Sequence, residues 1–540
     1  MYCTGYLDTL NLLEQSPSRF ILSISIKVYR SLIINNAGIS VTVLSIFKKG
    51  MLAGTLLLAG CIAWPTGQYK DVVAPSADHV WLNPSVSSPQ QTSIMDNIDI
   101  PENLLKPGAI WQLSDVISVA LQNNPDTRSA WYAARSAADD WLSQKGNYYP
   151  QINAYANMSH TASSGAVTQP GGSKSTSVVS FDPTVQLTWL IFDLGGRDAA
   201  VDEKYQALLA ADFTHNAAIQ DTVSQVIQTY FLYANAKAVK KAYEISLDDA
   251  AANLDAAKQR HENGIATIAD VLQLKTALSQ AQVNLDKADG QVQTIRGALA
   301  TAMGLPANTT FEIEELTLNP PVDSITETVD AYIKQAQDNR PDLAAQRSKV
   351  EAALAHIRTT HSSQYPSLSF SDTLGGGIDN RTSQWENQNT AMLKLSIPIF
   401  QGNSLRYQEL KAQEDANKQK ATLDKLEQTV IYEVWSSYFS LKTAAQQVKT
   451  NNDLIESAQQ SHDVALGRYK EGVGGYLDLL AAQSALESAR AQRVVAMADW
   501  YISLAQLTRD TGMLWRDTHE EKGAFFDLLP GTTIKDVDNE

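Results

Sequence analysis

Cys61 is the residue of this chain with the clearest chemical assignment. It closes an apolar run from Met51 to Gly60 that follows Lys48 and Lys49. Two cations, a short apolar core and small residues at the end are the three parts of a secretory signal. The other cysteine, Cys3, cannot with Cys61 supply a disulfide framework or a cysteine-based zinc site. The eight histidines include no pair at i, i+4 spacing, so no metal cluster is indicated. Neither a nucleophile–base pairing nor a phosphate-binding glycine loop is present, so the chain is read as a non-enzyme with no metal and no cofactor.

Two carboxylates stand in matching surroundings. Gly264 precedes Asp270-Val271-Leu272, and Gly472 precedes Asp478-Leu479-Leu480. Thr267-Ile268-Ala269-Asp270 has the spacing of a capping box, with an acidic residue three after the cap. Asp478 falls in the first turn of its helix, where negative charge favours the macrodipole by about 0.3–1 kcal/mol. Each glycine supplies the left-handed residue that ends the preceding helix.

The end of the apolar run, Leu58-Ala59-Gly60-Cys61, resembles the lipobox of bacterial lipoproteins. The resemblance implies that Cys61 becomes the first residue of the mature protein and carries lipid. Each buried CH₂ of an acyl chain then contributes about 0.8 kcal/mol to anchoring. Ile62 at the next position favours sorting to the outer membrane by the same resemblance. Residues 1–43 do not fit a signal, and translation is expected to begin between Val41 and Met51. The whole chain carries 43 Lys+Arg against 59 Asp+Glu, a net charge of −16. Without residues 1–60 the balance is 38 against 57, or −19. Such a chain is repelled by phosphate backbones, so no nucleic acid is expected as partner.

The elements that position these residues occur twice. Asn124-Pro125-Asp126 returns as Arg340-Pro341-Asp342 and Tyr149-Pro150 as Tyr365-Pro366, both 216 residues on. From Leu187 to Gly304 the offset is 208, pairing Tyr230-Phe231 with Tyr438-Phe439 and Gly304 with Gly512. A prior of roughly three or four domains for this length therefore gives way to two copies of one unit. No proline lies between Pro183 and Pro306 or between Pro398 and Pro530. Proline in a helix interior costs about 3 kcal/mol, so both windows permit long helices. From Gly195 to Asn263 a continuous helix would reach roughly 100 Å. Helices of that length must pack lengthwise on one another.

Before each long helix the period changes to two. Val185, Leu187, Trp189 and Ile191 alternate with their neighbours, as do Ala391, Leu393, Leu395, Ile397 and Ile399. Ile152, Ala154, Ala156 and Met158 form a third set, and Leu368 with Phe370 a fourth. The segments 159–177 and 375–389 are expected as the hairpin loops. Such strands suit a membrane β-barrel or an amphipathic sheet on a soluble core. After position 65 no run of 18 or more uncharged apolar residues offers a spanning helix. Four strands cannot close a barrel, and an open edge in lipid is forbidden, so the membrane reading requires copies that pool strands.

Taken in order, these residues resemble the TolC-type outer-membrane efflux family, in its lipoprotein branch. The carriers are Asn123 to Asp126, Arg340 to Leu343, the Tyr-Pro pairs, Pro398-Ile399-Phe400-Gln401-Gly402, Arg468 to Gly472 with Asp478, and Gly512 to Trp515. The resemblance implies a mixed α/β membrane protein built on a duplicated helix-strand-strand-helix unit. Its homotrimer would form a 12-stranded outer-membrane β-barrel continued by a periplasmic α-helical barrel. The implied partners are a periplasmic adaptor, an inner-membrane RND-type or ABC pump, and outer-membrane lipid. The expected organisation is signal and upstream extension 1–60, lipidated linker 61–107, first repeat 108–304, linker 305–324, second repeat 325–512 and tail 513–540. Barrel and tunnel would join at Pro150, Pro366, Pro398 and, where the second copy's proline has Leu190 instead, at Gly195-Gly196. The periplasmic entrance would be lined by Asp478, with Tyr469 and Asp270 as further gate candidates. Gly264, Gly472, Arg468 and Lys470 would form the tips that dock the adaptor. The family's best-known members add an arginine two residues after the second glycine and a second aspartate; here those places hold Gly474 and Ala481. The expected function is small-molecule efflux. The alternatives are the exit duct of a type I secretion system and a lipid-anchored periplasmic scaffold.

Overall fold

The computed structural model describes residues 73–74, 76–81, 104, 109–166, 173–314, 320–322 and 327–514. All belong to one unit, Tyr69–Glu540. Cys61 and the signal lie outside the described residues, as does the segment 515–540.

The first half runs β1 (Ile110–Trp111), α1 (Leu113–Asn123), α2 (Pro125–Lys145), β2 (Gln151–Ala166), β3 (Ser173–Phe192), α3 (Gly196–Glu262) and α4 (Ile268–Ala302). The second runs β4 (Glu312–Ile313), α5 (Val329–Asn339), α6 (Pro341–Ser362), β5 (Ser367–Asp379), β6 (Trp385–Ser396), α7 (Ser404–Lys470) and α8 (Tyr476–Asp510). Both α3 and α7 have 67 residues, and α4 and α8 both have 35. Every one of these helix ends lies at the 208-residue offset from its counterpart. At 1.5 Å per residue α3 and α7 are each roughly 100 Å long. Proline opens α2 and α6, where its missing N–H costs nothing. Ahead of α2, Asn124 caps by accepting from the Asp126 N–H at 2.7 Å.

The strands form an open antiparallel sheet in the order β2-β3-β5-β6. Register puts Ile152 opposite Leu187, Ala154 opposite Val185, Trp189 opposite Phe370, and Leu393 opposite Phe370 on its other side. Leu368 faces Leu395 on that same side of the sheet. The other side carries Asn153, Gln186, Thr188, Ser369, Ser371 and Lys394. Asp372, opposite Leu187 and Ala391, places a carboxylate on the apolar side.

Two expectations about the strands change. Residues 159–166 and 173–177 are strand rather than loop, as are 375–379 and 385–389. Their small polar side chains pair across the ladder, Ser159 with Ser180 at 2.9 Å and His160 with Ser177 at 2.8 Å. At the other end β6 stops at Ser396, before Ile397 and Ile399, because Pro398 cannot donate to a ladder.

The main core sits midway along the long helices. Ile219, Val226, Tyr230 and Phe231 of α3 meet Leu299 of α4, Val430, Val434 and Leu441 of α7, and Trp500, Tyr501 and Leu504 of α8. Phe231 and Tyr501 stack with ring centroids 4.8 Å apart. Away from it the hairpins close over small clusters, Leu254, Ala257 and Leu274 in one and Ala458, Leu486 and Ala489 in the other. Alanine allows the close lengthwise approach that such thin packing needs. Within 305–324, β4 pairs with β1, and Phe311 and Ile313 are buried in the main core.

Candidate functional site

Far from the sheet, both long helices end in the same turn. Gly264 has φ 76° and Gly472 φ 77°, the left-handed residue that closes each helix. The next N–H in each case returns to the helix, Ile265 to Arg260 O at 2.8 Å and Val473 to Arg468 O at 3.0 Å. Beyond these turns the two tips differ. Thr267 and Asp270 close a reciprocal capping box, with Thr267 N to Asp270 Oδ2 at 3.0 Å and Asp270 N to Thr267 Oγ1 at 3.3 Å. Asp478 follows Gly475, which has no side chain to cap with, so its exposed carboxylate makes no such box.

Arg260 joins the two tips. Its guanidinium donates to the Tyr469 carbonyl, reaches Lys470 O at 3.5 Å, and lies over the Tyr469 ring at 4.6 Å. Those carbonyls are the open end of α7, where a cation is favoured by the helix dipole. Tyr469 is buried, and burial pushes its hydroxyl above the ordinary range. Arg468 and Lys470 point to solvent. Motif spacing does not single out Arg260, although it stands four before Gly264 as Arg468 stands four before Gly472. Arg468, Gly474, Asp478 and Ala481 border a groove of about 430 Å³. A Cβ at Gly474 would lie 3.0 Å from Arg468 Cβ and 3.2 Å from the Arg468 carbonyl carbon. A side chain at position 474, such as the arginine of the family pattern, would therefore be tight against Arg468 and require it to shift by a few tenths of an ångström.

At the other end of the helices Pro150 and Pro366 stand immediately before β2 and β5, and Pro398 lies between β6 and α7. Both strand-to-helix turns use two consecutive left-handed residues. They are Leu194 (φ 54°) with Gly195 (φ 88°), and Gly402 (φ 60°) with Asn403 (φ 63°). The first turn thus rests on Leu194-Gly195, while Gly196 is the first residue of α3. Gly196 has a separate reason to be glycine, because a Cβ there would overlap Ser362 Oγ. Asp193 Oδ2 accepts from the Arg197 N–H at 2.5 Å, and Arg197 returns a bond to Leu190 O at 2.7 Å. Around the second turn Glu409 accepts from Gln364 at 2.8 Å, His361 at 3.1 Å and Arg406 at 3.1 Å. The Gln364 bond leads in holding its carboxyl below the usual range.

Among the described residues no group of three His, Cys, Asp or Glu is placed to hold a metal, and no helix is long and apolar enough to cross a membrane.

The described residues thus form a two-sided sheet continued by helical hairpins whose longer arms reach about 100 Å. The chain belongs to the family described as Outer membrane efflux protein, whose profile matches residues 116–305 and 332–513. It is 25% identical over 491 residues to the solvent efflux pump outer membrane protein SrpC of Pseudomonas putida, covering 87% of this chain and 98% of that one. It is 24% identical over 409 residues to protein CyaE of Bordetella pertussis, covering 75% and 85%. The fold matches the outer membrane protein VceC of Vibrio cholerae with TM-score 0.66 at 19% identity, over 74% of this chain and 96% of that one.

Proposed function

We propose that this chain is the outer-membrane channel of a tripartite efflux assembly, working with a periplasmic adaptor and an inner-membrane pump. It resides in the outer membrane, extends into the periplasm and carries small molecules outward; the pump supplies the energy. The observation that carries this reading is the sheet. Among the described residues, one side presents Ile152, Val185, Trp189, Leu393 and Leu395 with no helix packed over them, and β2 and β6 leave two unpaired edges. In lipid every backbone polar group needs a partner, so the edges must pair with further copies. Three copies of this four-stranded sheet supply the twelve strands of a closed barrel. The long helices of the same three copies then form the tunnel, and Cys61 is the lipid attachment.

At the tunnel's far end Asp478 from each copy contributes to a ring of three carboxylates. The Arg260–Tyr469 contact holds the two hairpins of each copy together beside it. Gly264, Gly472, Arg468 and Lys470 form the surface offered to the adaptor. Relatives named for solvent, toluene, antibiotic and pyoverdine export support a small-molecule cargo. Deleting the gene tests cargo directly. Hypersensitivity to toxic organic solutes is expected, whereas loss of one secreted polypeptide with unchanged tolerance would make the chain an exit duct for protein. Conductance of the purified protein in planar bilayers distinguishes a channel from a scaffold, which would give none.

A further inference from the structure

The segment ahead of β1 is held to the body by side chains that bind its backbone. Trp131 Nε1 donates to Ala74 O at 2.9 Å, and the His215 ring donates from Nε2 to Ala77 O at 3.0 Å. Asn216 takes both backbone groups of Trp81, accepting from its N–H at 2.9 Å and donating to its carbonyl at 3.0 Å. The Trp81 ring meets Phe213 edge-on at 5.5 Å, and Val73 packs with Leu208, Ala134 and Ala138. Residues 73–74 and 76–81 are thus a strap across α2 and α3.

Leu208, Asp212 and Asn216 follow one another at four-residue spacing on one face of α3. Asp212 therefore lies midway along the strap's path, between the contact of Val73 and the contact of Trp81. Its side chain is 0% exposed, and neither oxygen has a hydrogen-bond partner among the described residues. Ionised in that place the carboxylate would be an uncompensated buried charge, and burial pushes its pKa up to about 8.

We propose that Asp212 makes docking of the N-terminal strap proton-dependent: the protonated acid is compatible with the docked strap, and its ionisation favours release. Other titratable groups nearby are committed elsewhere. His215, one turn on, is a buried ring whose pKa burial lowers. The strap brings Asp78 and His79, which pair with each other at 3.2 Å. From α2, Arg135 lies over Trp131 at 4.9 Å and Asp140 pairs with Lys204 at 3.4 Å. From α6, His356 pairs with Glu203 at 2.9 Å and Arg358 with Asp202.

The sign is set by linkage. A carboxyl whose pKa is raised by docking takes up a proton on docking between its ordinary range and about 8. Docking therefore weakens as pH rises through that window and levels off above it. His215 acts oppositely, because docking lowers its pKa, so docking weakens as pH falls below its ordinary 6.5. The His79–Asp78 pair lies within the strap, and Asp78 also favours the charged form of His215, against the larger effect of burial. Between these limits Asp212 dominates, and the docking equilibrium falls up to about tenfold per pH unit.

Hydrogen–deuterium exchange of the full-length protein in detergent, corrected for the intrinsic rate at each pH, reads docking at the Trp81 amide. Protection at pH ~6.5 should exceed that at pH ~8 by about tenfold. Asp212→Asn, the neutral isostere, should hold the higher protection at both values. Asn216→Ala should lower protection at both alike, which reports that the signal is the strap. The proposal is overturned by equal wild-type protection at the two pH values, or by an undiminished pH effect in Asp212→Asn. Loss of protection at both values in Asp212→Asn, or unchanged protection in Asn216→Ala, overturns it equally.

Discussion

Asp270 and Asp478 share a motif, yet their bonding separates them. Asp270 is engaged in a capping box, whereas Asp478 has no cap partner and stays exposed. Asp478→Asn is therefore expected to change single-channel conductance or cation selectivity in bilayers. Asp270→Asn should leave both unchanged and cost about 0.3–1 kcal/mol of helix-end stability. Equal permeation in the two variants would remove the ring assignment. Arg340 supplies a second test, since it is buried and holds Asp342 at 2.7 Å and Glu433 at 2.6 Å. Burial pushes the Asp342 carboxyl up, but the hydrogen bond and charge of Arg340 outweigh it and leave it below 3.8. A carboxylate lowered in this way stabilises the fold above its ordinary range and loses that contribution as pH falls through the lowered value. Arg340→Met should cost about 3–5 kcal/mol at neutral pH and flatten the fall in urea-unfolding stability below pH ~4.

At the scale of elements, the turns after α4 and α8 are as demanding as the tips. Gly304 has φ 76°, and a Cβ there would lie 2.5 Å from Asn123 O. Gly512, its counterpart, has φ 74° and would place a Cβ 2.9 Å from the Asn339 carbonyl carbon. Gly304→Ala combines a left-handed side chain with overlap against backbone, and should lower stability by roughly 2–5 kcal/mol in thermal melts. The sheet makes a sided prediction. Leu393→Arg puts a charge on the apolar side and should cost about 2–4 kcal/mol, read as loss of assembled protein from the outer membrane. Lys394→Ala, on the other side, should assemble normally. Alternation made the two sides legible, because side-chain period and register are linked in any ladder. Strand length was not legible. Serine and threonine read as loop in isolation, but they pair across a hairpin once the apolar rows have set its register.

For the whole molecule, pooling of strands predicts trimers in outer-membrane fractions that dissociate only on heating. A monomer that migrates alike with and without heating would count against the barrel. Cys61→Ser should abolish incorporation of labelled palmitate, and retained label would place the lipid elsewhere. If the trimer still forms and conducts, the barrel rather than the lipid holds the protein in the membrane.

The sequence by itself determined the duplication, the two long helices and the sidedness of the strands, since proline placement, residue offset and hydrophobic period are properties of the chain alone. It also located both tips, because a glycine followed by an acidic first turn marks a helix end and a helix start wherever the helices lie. Tertiary structure decided what those tips do to each other. Arg260 and Arg468 occupy the same place in the same motif, yet Arg260 clasps the neighbouring helix end while Arg468 faces solvent. It likewise decided that Leu194 shares the first left-handed turn, and that Asp212 is buried with no hydrogen-bond partner among the described residues. The reason is common to all three. A repeat is symmetric in sequence, but packing one copy against the other and against the N-terminal segment gives equivalent residues different neighbours, and only neighbours set a side chain's burial, charge and role.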